Sequence, residues 1–236
     1  KAAQAAARCI RERLERFKAD HPQHATLPWE ALVQQAYLAR VQLWSDGFYA
    51  TPGLHWNKAT LQGRPFHYYA YGAAVSEVVV DTLTGEFRLL AADIVHDAGT
   101  SLNPALDIGQ VEGAFSQGMG WLTMEELVWH PDDGSPRAGL LMTHAPSTYK
   151  IPTANDAPAV FRTTLFDAPN RHDSIHRSKA VGEPPLLLPI SVLLAIRDAV
   201  SAVGGHAVCP PLDAPATPEA VLRAVQAVRE GRSACA

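Results

Sequence analysis

The sequence has little cysteine and no excess of positive charge. Its 236 residues include three cysteines, Cys9, Cys209 and Cys235, which lie far apart and form no CxxC pair. This odd, scattered set excludes a dense disulfide framework, and we interpret the three as reduced thiols of a cytoplasmic protein. Lysine and arginine together number 20 against 24 acidic residues, so the net charge is −4. That balance carries no electrostatic footprint for nucleic-acid binding.

Long hydrophobic runs and targeting signals are also missing. No uncharged run approaches the roughly 18 residues of a membrane span, except a stretch from Pro184 that is rich in proline and typical of a buried core. The first residues lack a signal-peptide pattern. The chain begins with Lys1 and enters a helical pattern at once, without an initiator methionine. We therefore expect this sequence to be a piece of a longer polypeptide.

Several common catalytic motifs are absent as well. The chain contains no GxSxG nucleophile elbow, no Walker loop and no GxGxxG after a strand. His172 and His176 are four residues apart, but they fall in a polar loop and no glutamate follows the first histidine as in HExxH. We predict that this pair does not bind a metal.

The hydrophobic periodicity predicts an α+β fold with mixed or antiparallel sheets and packed helices. Runs of helix, hairpin and single strand do not alternate regularly, which argues against repeated βαβ units. Helices are predicted over residues 2–18, after Pro28, after Pro104, after Pro185 and after Thr217. Strands are predicted over residues 41–49, over the two arms of a hairpin between residues 68 and 96, and over residues 159–166.

The helix after Pro104 is unusual because it contains four glycines, Gly109, Gly113, Gly118 and Gly120. Each glycine inside a helix costs about 1 kcal/mol relative to alanine. The cluster indicates either close approach of another backbone or a ligand, or tight packing of the helix on a sheet. Gln110 lies on the same helix, and its amide could donate to an anion or an oxo group, or make an ordinary core hydrogen bond.

Glu183 is the most distinctive acidic residue, because Gly182 precedes it and Pro184 follows it. The proline disfavours the helical region for Glu183, which predicts an extended, rigid corner at the head of a buried helix. A carboxylate held in a poorly solvated corner suits a general base. The alternative is a helix-entry residue stabilised by the helix dipole.

Six sequence blocks, taken together, resemble one family. They occur in register as Phe66-His-Tyr-Tyr-Ala-Tyr-Gly72, Asp93-Ile-Val-His-Asp97, Ser101-Leu-Asn-Pro104, Asp107-Ile-Gly-Gln-Val-Glu-Gly-Ala-Phe115, Pro146-Ser-Thr-Tyr-Lys-Ile-Pro152 and Ser178-Lys-Ala-Val-Gly-Glu-Pro-Pro185. The chain closely resembles the C-terminal part of the molybdopterin-binding region in the molybdenum hydroxylase family of xanthine and aldehyde oxidases. The resemblance implies that residues 1–236 form a C-terminal molybdopterin-binding domain segment of a larger catalytic subunit.

The resemblance also implies roles for particular residues. The glutamate of the family's VGE block is the catalytic base and corresponds to Glu183. The glutamine of its GQVEGA block lies beside the molybdopterin and corresponds to Gln110. The backbone of Lys179, Ala180, Val181 and Gly182 would line the same pocket, and no residue of this chain is implied as a metal ligand.

The implied activity is an oxidoreductase that hydroxylates hypoxanthine and xanthine to urate with oxygen from water. In the family, the glutamate activates a molybdenum-bound hydroxyl, and hydride passes to a molybdenum-bound sulfido group. Electrons then leave through [2Fe-2S] clusters and FAD, for which this chain has no binding motif. The resemblance further implies a preceding molybdopterin segment, an iron–sulfur/FAD partner and pairing into a dimer.

Two alternatives stay open at this point. The same chemistry could act on aldehydes or other N-heterocycles, because residues that orient the substrate have no counterpart here. The chain could also be a non-catalytic scaffold module that keeps the fold without the cofactor.

Overall fold

The computed structural model describes residues 1–233, so Cys235 lies outside the described part of the chain. The chain divides into two compact units, Lys1–His67 and a larger unit that starts at Tyr68. Helices and strands run in the order α1 (Ala2–Asp20), α2 (Trp29–Leu38), β1 (His55–Asn57), β2 (Gln62–Arg64), β3 (Gly72–Val80), β4 (Phe87–His96), α3 (Pro104–Thr123), β5 (Val160–Leu165), α4 (Ile190–Ala202) and α5 (Pro218–Arg229). The α+β prediction is confirmed.

The first unit is built on the packing of α1 against α2. Leu14 and Phe17 of α1 meet Leu32 and Ala36 of α2 in a small core. Their spacing by three or four residues places each pair on one helix face. A short antiparallel hairpin of β1 and β2 completes this unit.

The predicted strand over residues 41–49 is wrong, because this segment has no regular secondary structure. Its backbone carbonyls find another partner. The Arg13 guanidinium on α1 donates to the carbonyl oxygen of Trp44 at 2.6 Å and to that of Gln42 at 3.3 Å. A helix side chain therefore satisfies backbone acceptors that a neighbouring strand would otherwise take.

The second unit contains a three-stranded sheet with the order β3-β4-β5. The predicted hairpin is confirmed: β3 and β4 pair antiparallel, with Val75 opposite Asp93. The strand β5 adds parallel to β4, with Phe161 opposite Ala92. On β3, alternate residues from Ala74 to Val80 turn toward the core, which is the alternation expected of a half-buried strand.

Helices α3 and α4 pack on this sheet, and α5 packs on α4. Phe115 of α3 is fully buried, and its ring lies 5.5 Å from that of Phe161 on β5. The core also contains Val192, Ile196 and Val200 of α4. Thr217 caps α5 by accepting from the Ala220 amide, with Pro218 in the first turn, as predicted.

The segment Pro184–Ala202 joins a 3₁₀ turn, Pro184–Leu187, to α4. Among the described residues, it is the one helical stretch long and apolar enough to cross a membrane. Its buried positions pack on α3 and β3, so we assign it to the core of this unit. The sequence prediction for Glu183 is wrong in its backbone: φ is −102° and ψ is −39°, which is helical and not extended. The two prolines accordingly begin the 3₁₀ turn immediately.

Candidate functional site

Residues 178–183, which we call the site segment, lie along the loop that follows β4. The Lys179 amide donates to the Ala98 carbonyl at 2.8 Å, and Gly99 forms a β-bridge with Ser178. A side chain on Gly99 would place Cβ only 2.5 Å from the Arg177 carbonyl oxygen, and φ is +64°. Glycine at position 99 therefore allows the two backbones to approach this closely.

The structure brings Gln110 to the exposed end of the site segment. A Cβ built on Gly182 would lie 3.8 Å from Gln110 Oε1, with no other heavy atom nearer. Both Gln110 on α3 and Glu183 beside Gly182 are exposed. Gln110 and Gly182, which belong to separate blocks of the sequence, are thus neighbours in space.

The backbone amides of the site segment fall into two groups. Those of Lys179 and Ala180 are paired, the first with the Ala98 carbonyl and the second with the Tyr68 hydroxyl at 3.0 Å. Within residues 1–233, the amides of Val181, Gly182 and Glu183 donate to no protein group. This end of the segment therefore presents unpaired donors beside the Gln110 amide, and such groups favour a polar ligand.

Glu183 itself is exposed, and its side chain does not cap the turn that follows. The expectation of a poorly solvated corner is therefore not met by the described residues alone. Its backbone is nonetheless well defined, because its carbonyl accepts from the Leu186 amide at 3.0 Å. The carboxylate stands at the start of a fixed turn.

The Lys179 side chain is bound by two groups outside the site segment. Its ammonium donates to Asp97 Oδ2 at 2.5 Å and to the Tyr69 carbonyl at 2.9 Å. The side chains of Lys179 and Asp97 are 9% and 15% exposed, so this is a nearly buried ion pair. Sequence reasoning placed Lys179 near the site but missed Asp97, which lies within one of the six blocks.

His96 is buried directly before Asp97, with 1% of its surface exposed. Neither ring nitrogen has a hydrogen-bond partner among the described residues. Burial lowers the pKa of His96; the Asp97 carboxylate raises it and the Lys179 ammonium lowers it by smaller amounts. Burial therefore disfavours the charged imidazolium form of His96.

The four glycines of α3 serve two purposes. Gly118 faces the Leu186 carbonyl and Gly120 faces Pro152, and a Cβ at either position would lie 2.3 Å from its neighbour. Gly118 confirms close approach of another backbone, whereas Gly120 makes room for the proline ring of residue 152. Gly109 and Gly113 have no heavy atom within 4 Å of the built Cβ, and with Gln110 they form an exposed face one helix turn long.

The site contains no preformed cluster of metal-binding side chains. Among residues 1–233, no three of His, Cys, Asp and Glu come together to hold an ion. Its chemistry consists of one carboxylate, one amide side chain and several backbone donors.

Comparison with protein families matches residues 1–158 to the model of the molybdopterin cofactor-binding domain. Gln110 lies inside that match and the site segment lies beyond it. Xanthine dehydrogenase/oxidase from Rattus norvegicus is 50% identical over 225 residues, which cover 93% of this chain. Xanthine dehydrogenase from Oryza sativa subsp. japonica is 49% identical over 82% of the chain. The chain spans only 16% and 14% of the lengths of these relatives.

Solved structures of related enzymes have a similar fold. Aldehyde oxidoreductase from Desulfovibrio gigas is 26% identical with a TM-score of 0.56, over 82% of this chain and 20% of that one. Quinoline 2-oxidoreductase from Pseudomonas putida 86 is 28% identical with a TM-score of 0.52, over 63% of this chain and 18% of that one. The chain therefore corresponds to a limited portion of each.

Proposed function

This chain belongs to the family of molybdopterin cofactor-binding domains, and we propose that it forms part of the active site of a molybdenum hydroxylase acting on purines. In this proposal Glu183 is the general base and Gln110 contacts the cofactor. The enzyme would convert hypoxanthine and xanthine to urate. At each step water supplies one oxygen atom, and substrate and water together release two electrons and two protons, one proton from the substrate C–H bond and one from water.

The observation that carries the proposal is the meeting of Gln110 with Gly182, one residue before Glu183. Gln110 comes from α3 and Gly182 from the site segment, and the Gln110 side chain lies against the glycine. The amides of Val181 and Gly182, which donate to no protein group within residues 1–233, add hydrogen-bond donors to this part of the segment. This donor set fits a pterin, whose ring nitrogens and oxygens accept hydrogen bonds.

In the loaded enzyme, Gln110 and the amides of Val181 and Gly182 would hold the cofactor, while Lys179 and Ala180 would contribute the backbone behind them. The molybdenum-molybdopterin cofactor would supply a metal centre able to accept the two electrons released in each hydroxylation. Glu183 would accept the proton lost when the oxygen nucleophile is formed. A fixed turn holds its backbone, so the carboxylate is presented at a defined position.

The exposure of Glu183 is consistent with an active site completed by other parts of the enzyme. The relatives are about six times longer than this chain, which spans 16% of the rat sequence. A base must lie within hydrogen-bond reach of the proton it removes and works best when water is excluded. We propose that the cofactor and the remaining polypeptide cover this carboxylate.

The partners follow from the same premise. We propose that the complete enzyme contains a second molybdopterin-binding segment, [2Fe-2S] clusters and FAD, forms a dimer and is cytoplasmic. The 236 residues alone are then expected not to retain molybdopterin. Tight, stoichiometric retention by the isolated chain would contradict this division of the pocket.

The test of the base is Glu183→Gln in the complete enzyme, which removes the charge and keeps the size of the side chain. General-base catalysis contributes about 10²–10⁴-fold, so we expect kcat per bound molybdenum to fall at least a hundredfold. The matched control is Glu86→Gln, because Glu86 is also exposed but lies in the turn between β3 and β4. Turnover within tenfold of the wild type would refute the assignment.

A second candidate is hydroxylation of aldehydes or other N-heterocycles. Structures of an aldehyde oxidoreductase and a quinoline 2-oxidoreductase share the fold at 26% and 28% identity. The purine assignment is favoured because the xanthine dehydrogenases are about twice as similar in sequence. Steady-state kinetics with xanthine and an aromatic aldehyde distinguish the two. If the assembly is purified from a host able to make the cofactor and still contains no molybdenum, a non-catalytic scaffold is favoured instead.

A further inference from the structure

We propose that Lys179, Asp97 and Tyr68 form a latch that positions the site segment and so sets the place of Gly182 and Glu183. The inference rests on the proposed function, because it assigns a positioning role within the same site. None of the three residues is proposed to touch substrate or to move a proton. Their side chains act through the backbone of residues 178–183.

The first element of the latch is the Lys179 ammonium. It donates to Asp97 Oδ2 and to the Tyr69 carbonyl, and it lies 5.5 Å from the centre of the Tyr71 ring. All of these groups belong to the second unit, at the end of the sheet where β3 begins and β4 ends. A lysine side chain loses considerable conformational freedom when it is fixed in this way. The contacts therefore anchor the site segment to a rigid sheet.

Asp97 is itself held in place before it meets the lysine. Its Oδ1 accepts from the Gly99 amide at 2.9 Å, and its own amide donates to the Tyr71 carbonyl at 2.8 Å. Both carboxylate oxygens are thus engaged, one by the loop and one by Lys179. A carboxylate with fixed partners defines where the ammonium must lie.

The Tyr68 hydroxyl provides the second anchor. It accepts from the amide of Ala180, the residue directly after Lys179. Ala180 is exposed, so this bond is the last link before the unpaired amides of Val181 and Gly182. The latch therefore ends where the proposed cofactor contacts begin.

The chain entering the site segment is also constrained. His176 and Arg177 have φ values of 48° and 61°, in the left-handed region that costs a non-glycine residue about 1–2 kcal/mol. The Arg177 carbonyl accepts from the amides of Thr100 and Asn170. Such conformations persist where surrounding contacts determine them. The site segment therefore runs between a constrained stretch at residues 176–177 and the 3₁₀ turn that follows Glu183.

The contacts of Lys179 indicate that it positions the backbone and does not pair its charge with the cofactor. The Lys179 ammonium forms an ion pair with Asp97, so its charge is already neutralised by a near neighbour. Removing it would free the backbone of residues 179–180. The position of Glu183 would then fluctuate, and small displacements of a catalytic group reduce turnover strongly.

The first test is hydrogen exchange in the complete enzyme carrying Lys179→Met or Tyr68→Phe. Lys58→Met and Tyr37→Phe are matched controls, because both residues are exposed and lie in the first unit. We expect the peptide covering residues 178–183 to exchange about tenfold faster in both latch variants, as for loss of one net hydrogen bond. Exchange equal to that of the controls would overturn the proposal.

The second test separates positioning from a merely structural role. We expect kcat per bound molybdenum to fall at least about tenfold in Tyr68→Phe and Lys179→Met, in line with loss of alignment, while KM follows the controls. Activity that falls only in proportion to molybdenum content would contradict a positioning role. The Glu183→Gln variant distinguishes the general-base hypothesis from the latch hypothesis. If this variant stays active, the proposed function is wrong, whereas the latch is still tested by the hydrogen-exchange result.

Discussion

Gly118 offers a sharp test of the packing that places Glu183. A Cβ at this position would lie 2.3 Å from the Leu186 carbonyl oxygen and 2.8 Å from Pro189 Cγ. Leu186 belongs to the 3₁₀ turn whose first hydrogen bond is accepted by Glu183. The Gly118→Ala variant must therefore push α3 away from the turn that carries the proposed base.

The magnitude follows from two opposing effects. Alanine gains about 1 kcal/mol over glycine from helix propensity. Overpacking a filled interior costs about 1–3 kcal/mol, and here the obstacle is a backbone carbonyl that cannot rotate aside. At the upper end of that range Gly118→Ala destabilises the chain by about 2 kcal/mol. Gly113→Ala is the control, because nothing lies within 4 Å of its Cβ and only the propensity gain of about 1 kcal/mol applies.

The assay is urea unfolding of the 236-residue chain, followed by far-UV circular dichroism. The midpoint shift multiplied by the m-value gives the change in free energy of unfolding, provided that m is unchanged. Opposite shifts are expected, with Gly118→Ala below the wild type and Gly113→Ala above it. The packing argument is refuted if Gly118→Ala is as stable as Gly113→Ala.

Two further predictions concern stability. Because burial lowers the pKa of His96 below its ordinary value of 6.5, the unfolded chain binds the proton more tightly than the folded chain does. The contribution of His96 to the free energy of unfolding is therefore fully present above about pH 6.5 and is lost as the pH falls below that value. Urea midpoints measured between pH 7.5 and 5.5 should decrease as the pH falls, and His96→Leu should make this decrease smaller. Gly99→Ala should destabilise the chain by more than Gly134→Ala, since both have positive φ but only Gly99 has a carbonyl oxygen within 2.5 Å of the added Cβ. Equal urea midpoints for the two variants would contradict the close approach of residues 99 and 177.

Local sequence patterns predicted most of the regular structure. The helical repeat of α1 and the Thr217-Pro218 start of α5 are properties of neighbouring residues, so they could be identified from the chain alone. The predicted strand over residues 41–49 failed for the opposite reason. Backbone carbonyls of this segment are bound by Arg13, which lies 31 positions from Trp44 in the chain.

The site was predictable only in part. The sequence blocks selected Gln110 and Glu183, and the fold brings Gln110 against Gly182. The latch could not be foreseen, because Lys179 and Asp97 are 82 positions apart and no local pattern joins them. Nor could the helical backbone of Glu183, since the preference imposed by Pro184 yields here to the 3₁₀ turn packed on α3.

The most direct measurement is a crystal structure of the complete, cofactor-loaded enzyme. We predict that the Glu183 carboxylate lies within about 2.6–3.2 Å of a cofactor or substrate atom, or one water away, and is shielded from bulk solvent. The Gln110 side chain should contact the pterin in the same structure. A Glu183 side chain that still points into open solvent, with no cofactor beside Gln110, would contradict the assignment of this carboxylate as the base.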